Sequence, residues 1–191
     1  LRFDSTSEYG SLVLPRVSLL YKPSADTTLR IGGGSGYKVP TLFGEESEVI
    51  QYRGILPLEV EQLVAEESMG FNIDLNQEFV LAGGATFDIN LLLFTTRVDN
   101  PLRLVDLGNK KFAYRQPDDF LETQGAELGV VWRWNDFKYF FGYTHANVKE
   151  HTETRERMAP LMPKDRVNNV FVYERENDFR IGLEAYYYGR Q

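Results

Sequence analysis

Apolar and polar residues alternate strictly along much of this chain. From Phe179 to Tyr188 one side carries Phe179, Ile181, Leu183, Ala185 and Tyr187, and the other Arg180, Gly182, Glu184, Tyr186 and Tyr188. A period of two is the mark of a strand with one apolar face. Gln124 to Trp134 repeats it, with Ala126, Leu128, Val130, Trp132 and Trp134 opposite Gly125, Glu127, Gly129, Val131 and Arg133. The run from Phe137 does so again, through Phe137, Tyr139, Phe141 and Tyr143. Only Asn135-Asp136 separates these last two, which predicts a tight antiparallel hairpin. Arg175 to Asp178 joins the runs 166–174 and 179–189 in the same way, and Lys22 to Asp26 joins 12–21 to 27–36. Further runs cover 62–75 and 84–98, and a less regular stretch at 102–123 has room for another pair. The total is about eight to ten strands. No helix longer than a turn or two is expected, even in the acidic stretch Gly44 to Val49.

Connection lengths add direction. The links after Tyr21, Trp134 and Glu174 are short, whereas those at 37–61 and 149–164 are long, so short and long ends alternate. Short turns on one rim and long loops on the other is the habit of outer-membrane barrels, and runs of about ten residues suffice to cross a bilayer at a tilt. Trp132, Trp134, Phe137 and Tyr139 flank one short turn and Tyr173 and Phe179 another, where an interfacial girdle of rings would lie. Arg16, Arg30, Asp88, Glu127, Arg133 and Glu184 recur at mid-strand on the polar side, as a wet or filled lumen requires. The expected fold is therefore all-β: an antiparallel up-and-down meander forming a segment of a membrane β-barrel. The alternative is a soluble antiparallel β-barrel or sandwich, with the apolar face as its core and a small apolar molecule as its ligand.

Composition narrows the chemistry. Of 191 residues, 42% are hydrophobic and 26% charged, which fits one domain or part of a larger one and argues against disorder. No apolar run exceeds that of Leu91 to Phe94, so no helix can span a membrane. The start at Leu1-Arg2-Phe3-Asp4 carries no initiator Met or basic-apolar leader, so a processed product or excised piece is expected. Zero Cys removes thiolate metal sites, disulfides and Cys nucleophiles, and two His cannot supply a multi-His centre. A net charge of -7 disfavours nucleic acid as a partner. No Ser-His-Asp constellation can be built, so no enzyme and no cofactor are expected.

Several groups remain as candidates. Gly36 to Thr41, just after Gly32-Gly33-Gly34, reads either as an element at the barrel mouth or as a bulge with a turn. Glu45, Glu46 and Glu48 could attract a cation, but charge runs are usually solvated faces. The pair Asp118/Asp119 shows no neighbouring base and reads as loop solvation. His145, His151, Met158 and Met162 bracket the second long loop with ligands that suit copper or haem iron. Phe43, Tyr52, Arg53, Arg155 and Arg157 are better placed for an anionic, aromatic-rich cargo, because Arg pairs with carboxylate or catecholate oxygens and rings stack; ordinary loop residues are the plainer reading.

Placed on these strands, the short motifs at Pro15 to Pro23, Ser35 to Thr41, Leu63 to Ser68, Phe94 to Leu102, Gly125 to Leu128 and Pro160 to Asn168 together resemble the C-terminal barrel of TonB-dependent outer-membrane receptors. Pro15 to Pro23 is similar to the family's hairpin, and Ser35-Gly36-Tyr37-Lys38-Val39-Pro40-Thr41 to its Gly-aromatic-basic-Ala-Pro signature. Leu63-Val64-Ala65-Glu66-Glu67-Ser68 resembles a Leu-x-Pro-Glu-x-Ser element with Ala65 in place of Pro. Phe94 to Leu102, Gly125-Ala126-Glu127-Leu128 and Pro160-Leu161-Met162-Pro163-Lys164-Asp165-Arg166-Val167-Asn168 follow in the family's order, with Asp165 where His is common. The resemblance covers nearly the whole chain. It implies that residues 1–191 are a single segment of a receptor barrel domain, without the plug domain that fills the lumen and without a TonB box. It further implies a place in the outer membrane of a Gram-negative bacterium, among its lipids, and import of a metal chelate, foremost a ferric siderophore. The plug and the TonB complex would be the partners that energise transport. Haem receptors of this kind usually carry a His between the Gly-aromatic-basic-Ala-Pro signature and the Leu-x-Pro-Glu element; residues 41–63 contain none.

Overall fold

The computed structural model describes residues 1–6, 9–41, 47–48, 50–59, 63–117, 119–152, 156–158, 163–175 and 178–190. Eight strands form one continuous antiparallel meander: β3 (Arg16–Tyr21), β4 (Thr27–Lys38), β5 (Glu66–Val80), β6 (Thr86–Asp99), β9 (Phe120–Trp134), β10 (Phe137–His151), β12 (Asp165–Arg175) and β13 (Phe179–Tyr188). Three smaller pieces sit between them or ahead of them. These are the hairpin β1 (Arg2–Thr6) with β2 (Gly10–Leu14), the hairpin β7 (Arg103–Gly108) with β8 (Lys111–Arg115), and β11 (Glu156–Met158), which pairs with β10.

The predicted hairpins are present. Asn135-Asp136 closes β9 onto β10, with Asn135 at φ 48°, a left-handed conformation that Asn tolerates in a two-residue turn. Several boundaries differ from expectation. The run 12–21 is broken at Pro15, which has no N–H to offer a ladder and leaves β2 to turn away from β3. β5 starts at Glu66 rather than near 62 and runs on to Val80, because the polar run Asn76-Gln77-Glu78 stays in register with its neighbouring strands although it breaks the alternation; Thr27 Oγ1 donates to Gln77 Oε1 at 2.6 Å. The β5–β6 link is thus a short turn closed by Leu81 N–H to Ala85 O at 2.8 Å. The irregular stretch after 102 does hold a pair, β7 and β8, but β9 begins at Phe120. β1 and β11 were not expected.

Register separates the two faces. Leu29, Leu75, Leu91, Leu128, Tyr143, Val167 and Tyr187 form one row on one side of the sheet, and Ile31, Ile73 and Leu93, two residues along, share that side. This apolar side is the exposed one: Phe71 is 58% and Leu183 66% accessible. The polar side is concave, with one hollow of about 820 Å³ lined by Arg16, Arg30 and Asn72 and another of about 330 Å³ lined by Asp88, Glu127 and Asn168. Among the described residues the buried apolar side chains are only Ala65, Ala113 and Val172. A soluble barrel requires the reverse, an apolar interior and a charged exterior. The sheet is a wall of a membrane barrel.

Along the short-turn rim the outward rings form a chain. Phe87, Trp132, Trp134 and Phe137 follow one another at 6.3 to 6.5 Å between centroids, and Phe137, Tyr173 and Phe179 continue it at 4.9 and 5.7 Å. Asn169, an outward polar residue in the apolar band, receives the Tyr139 hydroxyl at 2.5 Å, which satisfies it where no water is at hand.

In the full-length protein, Leu183→Arg is expected to cost about 2–4 kcal/mol of folding stability near the bilayer midplane, while Glu184→Gln changes it little. Denaturant titration in lipid vesicles measures both; equal tolerance would reverse the assigned faces.

Candidate functional site

All long connections leave the same rim, and two of them are knitted together there. Residues 50–54 turn back on themselves, with Gln51 N–H donating to Glu48 O at 2.9 Å and Arg53 N–H to Ile50 O at 3.1 Å. Ile55 then pairs in parallel with Phe112 of β8, through Phe112 N–H to Gly54 O at 2.9 Å and Leu56 N–H to Phe112 O at 2.8 Å. The first long connection is thus joined by a single parallel bridge to the hairpin that rises from the second. Gly54 is required at this contact: its φ is 71°, and a Cβ would stand 2.1 Å from Lys110 O.

A side-chain amide ties the bases of the same two connections. Gln116 accepts from Val64 N–H at 2.8 Å, donates to Val64 O at 2.8 Å and donates to Asn100 O at 2.9 Å, using both ends of its amide. Leu102 N–H donates to Glu66 Oε1 at 2.9 Å. At the foot of β7, Arg103 forms an ion pair with Glu150, which is 1% exposed and lies on the inner row of β10. The hairpin is therefore braced against the inside of the wall.

The third long connection is held from the outside. Lys149 Nζ lies 2.5 Å from Glu156 Oε1, joining β10 to β11, and this ammonium holds the Glu156 carboxyl below its ordinary range. Arg97 sits 3.7 Å over the Phe120 ring, which stacks on His151 at 4.4 Å; Asp99, 2.7 Å from Arg97, and Glu122, 3.3 Å from His151, flank the column. His145 Nδ1 lies 2.8 Å from Asp165 Oδ1, which also receives the Tyr143 hydroxyl at 2.7 Å. The two His rings are thus committed to separate structural contacts. No group of three or more His, Asp or Glu with metal-binding geometry occurs among the described residues.

The candidate cargo residues fall as follows. Tyr52 and Arg53 are exposed in the joined loops, at the turn just before the parallel bridge. Arg157 lies in β11, in register with Glu150. Phe43 and Arg155 lie outside the described residues, as do Glu45, Glu46, Asp118 and Met162. Glu150 links the two loop groups, standing in register with Arg157 and pairing by charge with Arg103. Gly32, Gly34 and Gly36 line the larger hollow of the inner wall. Sequence reasoning missed Gly54, Arg103, Gln116 and Glu150, since only the Gly had a local signal, as a turn residue.

A family model for the β-barrel of TonB-dependent receptor-like proteins matches residues 1–191. The chain belongs to the TonB-dependent receptor family. This is a family of outer-membrane transporters and receptors of Gram-negative bacteria, not an enzyme family. None of the curated proteins matches the sequence. Among solved structures, the chain is similar to the FrpB iron transporter from Neisseria meningitidis, with a TM-score of 0.66 at 14% identity over 94% of this chain and 27% of that one. FpvAI in complex with a pyocin gives 0.66 at 14% identity, covering 94% of this chain and 23% of that one. FpvA of P. aeruginosa bound to an iron complex of a heterologous pyoverdine gives 0.62 at 15% identity, covering 91% and 22%. At such identities the likeness establishes the barrel fold. The chain spans about a quarter of the length of these receptors.

Each Gln116 bond contributes about 1 kcal/mol, so Gln116→Ala is expected to raise amide exchange roughly tenfold at both 63–65 and 100–102, read by mass spectrometry on the full-length receptor. An effect at one segment alone would deny the bridge. The Glu156 carboxyl is depressed by Lys149, so its contribution is present above the ordinary carboxylate value and is lost as pH falls through the lowered one. The exchange protection of 149–158 in wild type over Glu156→Gln should accordingly be present at neutral pH and vanish in acid.

Proposed function

We propose that this chain is a single segment of the barrel domain of an outer-membrane TonB-dependent receptor that imports a metal chelate, foremost a ferric siderophore, in a Gram-negative bacterium. The observation that carries the reading is the pairing of an exposed apolar wall with a polar, hollowed inner face, with knitted loops at one rim. That is the arrangement of a ligand-gated pore rather than of a soluble binding barrel. Membership of the receptor family supports it, and so do the iron transporter and the pyoverdine–iron complex among the structural relatives.

In this reading the outer wall contacts membrane lipid, and the free edges of β3 and β13 pair with further strands of the barrel. The inner row of Arg16, Arg30, Asp74, Asn90, Glu127 and Arg133 packs against a plug domain, through which the TonB complex supplies energy. The long loops meet the cargo outside, with Phe43, Tyr52, Arg53, Arg155 and Arg157 as its contacts. No catalytic residue or resident cofactor is part of the proposal.

Deletion of the gene from its source bacterium is expected to abolish energy-dependent uptake of at least one radioiron-labelled ferric siderophore, and the full-length gene to restore it. Unchanged uptake across a panel of catecholate, hydroxamate and carboxylate chelates under iron starvation would sink the assignment of iron cargo.

A further inference from the structure

Asn169 stands on the lipid-facing side of β12, four residues from Tyr173 in the chain of rings and four from Asp165 at the polar rim. At about 3.3 Å per residue, it lies near the middle of the apolar band. Its partners in register are Phe141 of β10 and Ala185 of β13, so the neighbouring strands of its own barrel are already in place on both sides. A side-chain amide has one oxygen to accept and two N–H to donate. The Tyr139 hydroxyl, donating at 2.5 Å, serves the oxygen. Among the described residues neither side-chain N–H of Asn169 has a partner. Amide donors left in hydrocarbon are costly, and neither water nor a lipid headgroup reaches this depth. The missing acceptor therefore belongs to another membrane-embedded polypeptide.

The same surface carries what is missing. The Tyr139 oxygen keeps lone pairs after donating its proton, and the Asn169 oxygen has room for a second hydrogen bond. A two-fold axis through this patch brings the spare donors of one copy onto the spare acceptors of the other. The relief of the wall permits the approach. Ala185 is exposed beside Asn169, between Leu183 and Tyr187 on the same face, which are 66% and 60% accessible. A short side chain between two long ones leaves a dip at the amide, and small residues are what let membrane-embedded surfaces come close.

We propose that the lipid-facing patch of Tyr139, Asn169 and Ala185 is a self-association site, at which a second copy of this protein docks in the plane of the membrane. The contact is isologous: the Asn169 amide of each copy donates to the Tyr139 or Asn169 oxygen of the other. It depends on the orientation of the wall in lipid and is independent of the cargo.

The test uses the full-length protein, labelled with a mixture of donor and acceptor fluorophores and reconstituted in lipid vesicles over a wide range of protein density. Energy transfer above that of random mixing is expected for the wild type. Two variants are compared: Tyr139→Phe/Asn169→Leu, which removes both polar groups at nearly constant volume, and Ala185→Trp, which keeps them but fills the dip. Each is expected to raise the density at half association about tenfold. The double variant is also expected to unfold at a denaturant concentration no lower than the wild type, because both partners of the bond are replaced by apolar groups. A lower midpoint would assign the pair to the stability of a single barrel and overturn the site. Wild-type transfer no greater than random mixing, or association unchanged in either variant, overturns it as well.

Discussion

The rest of this structure depends on one constraint: within hydrocarbon, every backbone N–H and C=O must find its partner inside the protein. An antiparallel sheet meets it ladder by ladder, and here the ladders from β4 to β13 are continuous, with unbroken register over as many as fifteen residue pairs between β9 and β10. Each strand therefore has to stay extended for the full thickness of the layer. That fixes a length of ten to fifteen residues for the strands β4 to β6, β9, β10, β12 and β13, and leaves irregular chain only at the rims.

Once the backbone is satisfied, the side chains sort by what each face meets. The outward rows are Leu, Ile, Val and Phe, ending in a chain of rings from Phe87 to Phe179 at the level where amphipathic groups prefer to lie. The inward rows carry groups that need partners: Asn90 donates to Asp74 and Asn76 at 3.3 and 3.1 Å, and Arg133 pairs with Asp88. Among the described residues a conventional core is absent, because the sheet buries neither face against a second layer formed by them.

At the open rim the solvent changes and so does the economy of contacts. There the backbone of the long connections can no longer rely on a ladder, and single side chains take over its satisfaction. Gln116 serves two connections at once, Glu66 caps Leu102, and Gly54 lets one loop lie against another as a strand. The result is that two loops separate in sequence share one body braced by Arg103 and Glu150, so whatever engages one is coupled to the other.

The sequence by itself determined the wall. Alternation such as Leu183 against Glu184 has a period set by the strand, so faces, hairpins and the unequal rims could be read directly, and the family motifs agreed with them. It also placed Tyr52 and Arg53 in a long connection between strands. Only the tertiary structure decided which way the apolar face points, since alternation is the same for a soluble barrel turned inside out. Only it could break the run 12–21 at Pro15, carry β5 through the polar Asn76-Gln77-Glu78, or bring Gly54 against Lys110. The physical reason is range: strand periodicity is a local property of neighbouring residues, whereas a bridge between residues 55 and 112, or an ion pair between 103 and 150, depends on how distant segments close in space.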